Sequence, residues 1–184
     1  MKLLLMANAL ASPAPGGEML LDDFSRDDGR SAIGTRWSVT SDRVMGGISD
    51  VEAVKADGER PHIQMTGEVK NVPGYGSPGF VQVALDLDLL DASDYTGLRL
   101  VVRGDGGDYG AHLRTPDVSR PWQSWRGRFT APDQWTEVYI PFTEFAPNRI
   151  EVPLDLTRLY RLSLIATGRV GAAELQIAEV ALYR

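Results

Sequence analysis

The chain has 184 residues, 43% of them apolar and 24% charged, a formal charge of −6 and no cysteine. That length suits one sizeable core rather than two full domains, and the composition excludes a disordered chain. The acidic balance gives no electrostatic attraction to nucleic acid, and the lack of cysteine removes disulfides, thiol catalysis and cysteine-ligated metals.

In chain order, "MKLLLMANALASPAPGG" comes first, with one positive residue and a short apolar run broken by Asn8. Its flanks and length fit a loosely packed leader over 1–17 better than an export signal, while the Ala-Leu-Ala leaves cleavage near Ala11 open. A cytoplasmic or membrane-peripheral location follows for the leader reading, and a periplasmic one for a signal at 1–11. No run approaches the ~18 apolar residues that span a bilayer, so membrane contact is at most peripheral.

From residue 18 onward, short alternating runs are punctuated by Gly, Pro, Asp and Asn, which predicts strands. They are expected at 35–40, 47–55, 62–69, 79–88, 97–103, 109–114, 122–129, 135–140, 159–166 and 173–183. In "FVQVALDLDLL", Val81, Val83, Leu85 and Leu87 share one face; in "GLRLVVRG", Leu98, Leu100 and Val102 do. Helical signal is confined to a turn or two in "PFTEFAP" and "PLDLTRLYRL". The fold class is all-β: a jelly-roll-like β-sandwich of two antiparallel sheets, one domain over 18–184, with little helix.

Chemistry-bearing patterns are sparse. His62 and His112 each sit in an expected strand without a Ser/His/Asp or His-x-His arrangement, so both read as structural or surface histidines. "GYGSPG" at 74–79 matches G-x-G-x-x-G, but prolines surround it and a strand pattern follows where a helix is required, so it reads as a loop. The acidic runs "DLDLLDASD" and "GDGGD" lack the ligand set of a calcium loop, so no metal or cofactor is expected. Trp122 and Trp125 differ in parity, so they cannot both face the core from one regular strand. An exposed tryptophan there admits stacking on a sugar. Arginines concentrate between Arg99 and Arg128, and would form a local basic face if Arg99, Arg103, Arg114, Arg120, Arg126 and Arg128 lie together. In "SDRVMGGISD", Gly46 and Gly47 predict a bulge or tight turn, with Asp42 accepting backbone N–H bonds and Met45 plugging the sheet end.

The ordered segments "RWSVTSDRVMGGIS", "SPGFVQVALD", "DASDYTGLRLVVRGDGGDYGAHLRT", "WQSWRGRFTAPDQWTEVYIPFTEF" and "LIATGRVGAAELQIAEVALYR" resemble the complex I intermediate-associated protein 30 family from Phe24 to Tyr183. The matching positions are Trp37, Asp42, Val44, Met45, Gly46, Gly47 and Ser49, then Arg103, Gly104, Asp105, Gly106 and Tyr109, then Trp135, Pro141, Phe142 and Phe145. The resemblance implies a galactose-binding-like sandwich and a non-enzymatic role. Mitochondrial relatives assist assembly of respiratory complex I, and relatives in photosynthetic organisms are associated with thylakoid assembly or translation. This chain departs from the pattern at "NVPGYGSPGF" and at Trp122 and Trp125, where a tyrosine is more usual.

The expected function is an assembly or binding module for a protein partner, with respiratory-complex subunits or intermediates as candidates. A module for carbohydrate or another small polar ligand is the alternative. Candidate binding residues are Trp37, Asp42, Arg43, Met45, Gly46, Gly47, Ser49, Arg103, Asp105, Tyr109, Arg114, Trp122 and Trp125. An enzyme would need two converging titratable groups, for which Asp42, Arg43, Arg103 and Asp105 are the nearest candidates. No catalytic set is expected.

Overall fold

Alternation along the strands decides which side chains enter the core. Val81, Val83, Leu85 and Leu87 are buried, as are Leu98, Leu100 and Val102, so each run turns one apolar face inward. The computed structural model describes residues 17–184. The leader expectation and the cleavage point near Ala11 therefore lie outside the described residues, Gly17 apart.

The first six strands are β1 (Met19–Asp22), β2 (Trp37–Ser41), β3 (Asp50–Ala56), β4 (His62–Val69), β5 (Phe80–Leu90) and β6 (Gly97–Gly104). β7 (Asp108–Arg114), β8 (Ser124–Thr130), β9 (Thr136–Pro141), β10 (Ala146–Asn148), β11 (Leu159–Thr167) and β12 (Gly171–Tyr183) follow. They form two antiparallel sheets. The first has the order β3-β4-β12-β6-β9, with β1 also paired to β12; the second is β10-β8-β7-β11-β5-β2.

β12 organises the first sheet. One of its edges is shared by β4, along Gly171–Ile177, and by β1, near Val180–Leu182; its other edge pairs with β6. Between Ile177 and Glu179 the register to β6 shifts by one residue, Ala178. That bulge reverses the alternation, so Leu175 and Ile177 before it and Val180 and Leu182 after it all reach the same core. The second sheet contributes Ala111, Leu113, Trp125, Phe129, Leu162 and Leu164 from the opposite side.

Two strands escape the sequence pattern. β1 is four residues long, and β10 is a three-residue edge strand built around Pro147, whose missing N–H is tolerated only at such an edge. Short 3-10 turns occur at Phe142–Glu144 and Leu156–Arg158, within the two segments expected to hold a turn. A third, Asp42–Met45, ends at Gly46, so of the bulge or tight turn expected there the structure has the turn. β3 begins at Asp50 rather than 47 because Gly47, Ile48 and Ser49 belong to the loop after that turn. No helix among the described residues is long and apolar enough to cross a membrane.

Trp125 corrects one reading directly: it is 1% exposed, inside the core, and offers no surface to a ligand. Its Nε1 has no hydrogen-bond partner there. Trp125→Phe therefore removes ring volume without breaking a hydrogen bond, whereas Trp125→Ala leaves a cavity. We expect the alanine variant to lose about 3–5 kcal/mol in urea unfolding and the phenylalanine variant distinctly less.

Candidate functional site

The loop after β2 is built by one carboxylate. Asp42, 1% exposed, accepts the Ser49 N–H at 2.9 Å through Oδ1, and the Ser49 hydroxyl at 2.6 Å and the Phe80 N–H at 3.2 Å through Oδ2. The Ser49 hydroxyl accepts the Lys70 N–H at 3.0 Å, so the loop 42–49 and the loop 70–79 are fastened to each other. Gly47 and Gly79 pack so closely that a Cβ at either would overlap the Asp42 carboxylate. Gly46 adopts φ 85°, the left-handed conformation that ends the 3-10 turn. Arg43 reaches back to the Ser49 carbonyl at 3.0 Å and pairs with Asp50, which also holds Lys70 at 2.7 Å. The D-x-V-M-G-G-x-S run is thus a clasp whose polar ends are satisfied internally. Its apolar middle is pushed outward: Val44 is 72% and Met45 52% exposed, so Met45 does not plug the sheet end.

Those two side chains form one wall of a groove of about 310 Å³ on the outward face of the second sheet. The floor is fixed by register. Across β5, β11, β7 and β8, Ala84 faces Ser163, Ser163 faces His112 and His112 faces Arg126. In the next row Arg161 lies directly opposite Arg114. Pro121 and Trp122, in the loop between β7 and β8, form the other wall, with Trp122 45% exposed. That loop is held from below, because Arg114 donates to the Pro121 carbonyl, and the Trp122 carbonyl accepts from Asn148 at 2.8 Å and Arg126 at 3.3 Å. The groove continues past His112 and Arg126 into a second hollow that includes Arg128 and Asn148.

The floor is electrostatically one-sided. Burial first, then the charges of Arg126, Arg114 and Arg128, pulls His112 down to about 3, so its imidazole is neutral at physiological pH. Burial, followed by Arg114, Arg149 and Arg128, pulls the Arg126 guanidinium below its ordinary value. An arginine so shifted still keeps its proton near neutrality. Among the described residues, no carboxylate lines the groove. The neutral His112 imidazole, beside Ser163 and among arginines, offers hydrogen-bonding groups to the groove.

The thirteen residues singled out from sequence fall into separate places. Met45, Arg114 and Trp122 meet at the groove. Asp42, Arg43, Gly46, Gly47 and Ser49 form the clasp behind its wall. Asp105 and Tyr109 close a corner with Arg169: the Tyr109 hydroxyl lies 2.9 Å from Asp105 Oδ1, and Arg169 pairs with Asp105 at 3.0 Å. Burial and then the Asp105 hydrogen bond push the Tyr109 phenol up. Arg103 belongs to the other sheet, bonded to Gln176 at 2.8 Å and placed 4.8 Å over the Trp135 ring. Trp37 packs on Phe24 and donates to Asp22 at 2.7 Å, tying β1 to β2, and Trp125 is core.

The arginines of 99–128 do not share one face. Arg99 is buried among Glu18, Glu137 and Glu179 in the first sheet, whereas Arg114, Arg126 and Arg128 line the second. Among the described residues, no group of three His, Asp or Glu side chains comes together as a metal site.

The model of the complex I intermediate-associated protein 30 family matches residues 23–177. The chain belongs to that family. No curated protein matches the chain in sequence. Among solved structures, the family member is similar to the family 11 carbohydrate-binding module of cellulase Lic26A-Cel5E from Clostridium thermocellum, with TM-score 0.68, 16% identity, and 91% of this chain and 95% of that one covered. The same bacterium's family 11 module in complex with a β-1,3-1,4-mixed-linked tetrasaccharide gives TM-score 0.67 and 16% identity over 91% and 96%. A family 30 carbohydrate-binding module gives 0.61 and 13% over 91% and 99%. At these identities the likeness shows the sandwich fold, not a shared ligand.

Within this family member, sequence reasoning missed Gln82, Arg161 and Ser163 as groove residues, named Arg126 only as part of a possible basic face, and set His112 aside. The available signal was parity: in "GAHLRT" and "SWRGRF" the polar positions alternate with Leu113, Trp125 and Phe129.

Two outcomes test the site's construction. Asp42→Ala orphans three buried or half-buried donors, so it should cost about 2–4 kcal/mol in urea unfolding, and Gly79→Ala should destabilise in the same direction. For His112, the unfolded chain takes up a proton near the ordinary value of 6.5 while the folded chain resists it to about 3. Its contribution is therefore complete above pH 6.5 and shrinks as pH falls, by about 2 kcal/mol between pH 6.5 and 5. Urea titrations over that interval should show this slope in the wild type and a flatter one in His112→Gln.

Proposed function

We propose that this chain is a non-enzymatic binding and assembly module that seats a protein partner across the outward face of the second sheet, assisting assembly of a respiratory or other membrane protein complex. The observation that carries the reading is the groove itself. Exposed Val44 and Met45 on one wall and Trp122 on the other flank a polar floor in which no two titratable groups form an acid–base pair. Exposed apolar side chains grouped at a polar-floored cleft suit an interaction surface, and methionine adapts to irregular partners. Family membership supports the assembly role.

A second reading has its own observation. Trp122 lines the same groove as Gln82, Ser163 and His112, which together supply an aromatic face and hydrogen-bonding groups as a sugar site would, and the fold is shared with carbohydrate-binding modules. Pull-down from native membranes separates the two. The wild type should enrich respiratory-complex subunits or assembly intermediates, and Met45→Ala/Trp122→Ala should lose that enrichment by about tenfold without a lowered melting temperature. No enrichment by the wild type, together with saturable binding of a mixed-linked glucan tetrasaccharide, would overturn the assembly reading in favour of the second.

A further inference from the structure

We infer that the groove selects an acidic segment of its protein partner, whose carboxylates pair with Arg114, Arg126 and Arg161 while adjacent apolar side chains pack on Met45 and Trp122. This rests on the reading of the chain as a partner-binding module and specifies the chemistry of the occupant.

The chain carries a net charge of −6, and its cations elsewhere are mostly matched. Arg43, Lys55, Lys70, Arg99, Arg158 and Arg169 all make ion pairs. Arg114, Arg126, Arg128 and Arg161 make none among the described residues, although they occupy three neighbouring strands of one face. Three acidic residues border that face, Asp86 and Asp88 in a hollow shared with Arg161, and Asp108 in the one shared with Arg126 and Arg128. Asp86 is opposite Arg161 in register, and Asp108 accepts the Thr130 hydroxyl at 2.7 Å at the far end; neither is ion-paired to a groove arginine.

Arg114 directly opposite Arg161 is a like-charge cross-strand pair, which opposes sheet formation. The sheet nevertheless holds both, and neutral bonds fix their direction. Arg114 donates to the Pro121 carbonyl, Arg126 to Ser124 Oγ at 3.2 Å and the Trp122 carbonyl, and Arg161 to Ser38 Oγ at 3.0 Å. Each guanidinium has five N–H donors, so most remain for an occupant, and their planar fork matches a carboxylate. An anionic occupant of the groove would meet Arg114, Arg126 and Arg161 on three adjacent strands, none of which has a carboxylate partner among the described residues.

The walls distinguish a peptide from an acidic sugar. Val44 and Met45 are branched or flexible aliphatic side chains that stack poorly on a pyranose ring but pack well on apolar residues. The flat rings of the groove are those of Trp122, Phe80 and the buried His112, whereas the Val44 and Met45 wall has none.

The test is fluorescence anisotropy on the full chain with a labelled dodecapeptide of alternating Glu and Leu, the same peptide with Gln for Glu, and a galacturonic acid oligomer. The Glu/Leu peptide should bind saturably and weaken as salt is raised, and the Gln/Leu peptide should bind about tenfold or more weakly. Arg126→Gln and, separately, Arg161→Gln should each weaken the acidic peptide by about tenfold, while Lys55→Gln on the other sheet leaves it unchanged. Melting curves confirm that each variant is folded. Equal binding of the two peptides, insensitivity to both arginine changes, or arginine-dependent binding of the galacturonate without the peptide would overturn the inference. Native pull-down separates its failure from that of the assembly role. A partner retained equally by Arg126→Gln and Arg161→Gln refutes acidic selection alone, whereas arginine-dependent peptide binding without enrichment of complex subunits refutes the assembly role alone.

Discussion

The carboxylate of Asp42 fixes the geometry on which the groove depends. A buried carboxylate is costly unless its lone pairs are filled, and here they take two backbone N–H groups and a serine hydroxyl drawn from two loops. The result is directional. With Ser49, Gly47 and Gly79 packed around the carboxylate, the intervening Val44 and Met45 have no inward path, and the loop presents them at the sheet surface. The wall of the groove is thus a consequence of polar satisfaction behind it. Asp42 and Ser49 act through position, since neither lines the groove.

The opposite wall is made by a different device with the same logic. Arg114 and Arg126 rise from β7 and β8 and spend part of their donor capacity on the carbonyls of Pro121 and Trp122. The cations of the floor therefore also hold the loop that flanks them. Removing one would alter charge and wall together, which is why a comparison among Arg126, Arg161 and a cation on the other sheet is more informative than a single substitution. Arg161 has no bond to the Trp122 loop, so its contribution is separable from loop position.

Much of the fold was legible in the sequence because alternation is a local property. Val81-Val83-Leu85 and Leu98-Leu100-Val102 announce their buried face without reference to any partner strand, and ten of the strands follow from such runs. β1 and β10 are too short to alternate and form only because β12 and β8 offer them an edge. The site was legible only in parts, because register is not local. Arg99 and Arg114 look alike in sequence, yet Glu18, Glu137 and Glu179 gather around the first and, among the described residues, no acidic side chain pairs with the second. Arg161, far along the chain, becomes Arg114's neighbour only through β11–β7 pairing. The double glycine was recognisable as a conformational device, but that Gly47 makes room for Asp42 needed the folded loop.

The sandwich is shared with carbohydrate-binding modules at 13–16% identity, so what this chain binds must be argued from its outward side chains rather than from its fold. On β7, β8 and β11 every second residue is withdrawn from the core, and those positions can change character while Leu113, Trp125 and Leu164 keep the sheets together. Such freedom would allow any polar set, and surface charges of mixed sign would be the least costly. Instead the face carries facing arginines beside an imidazole that burial, and then the surrounding positive charge, keeps neutral down to about pH 3. A local arrangement that works against the free protein's own stability is expected where an occupant restores the balance. The three groove arginines on adjacent strands, none of them ion-paired among the described residues, are therefore the most informative feature of the groove, since a negative occupant would meet all three.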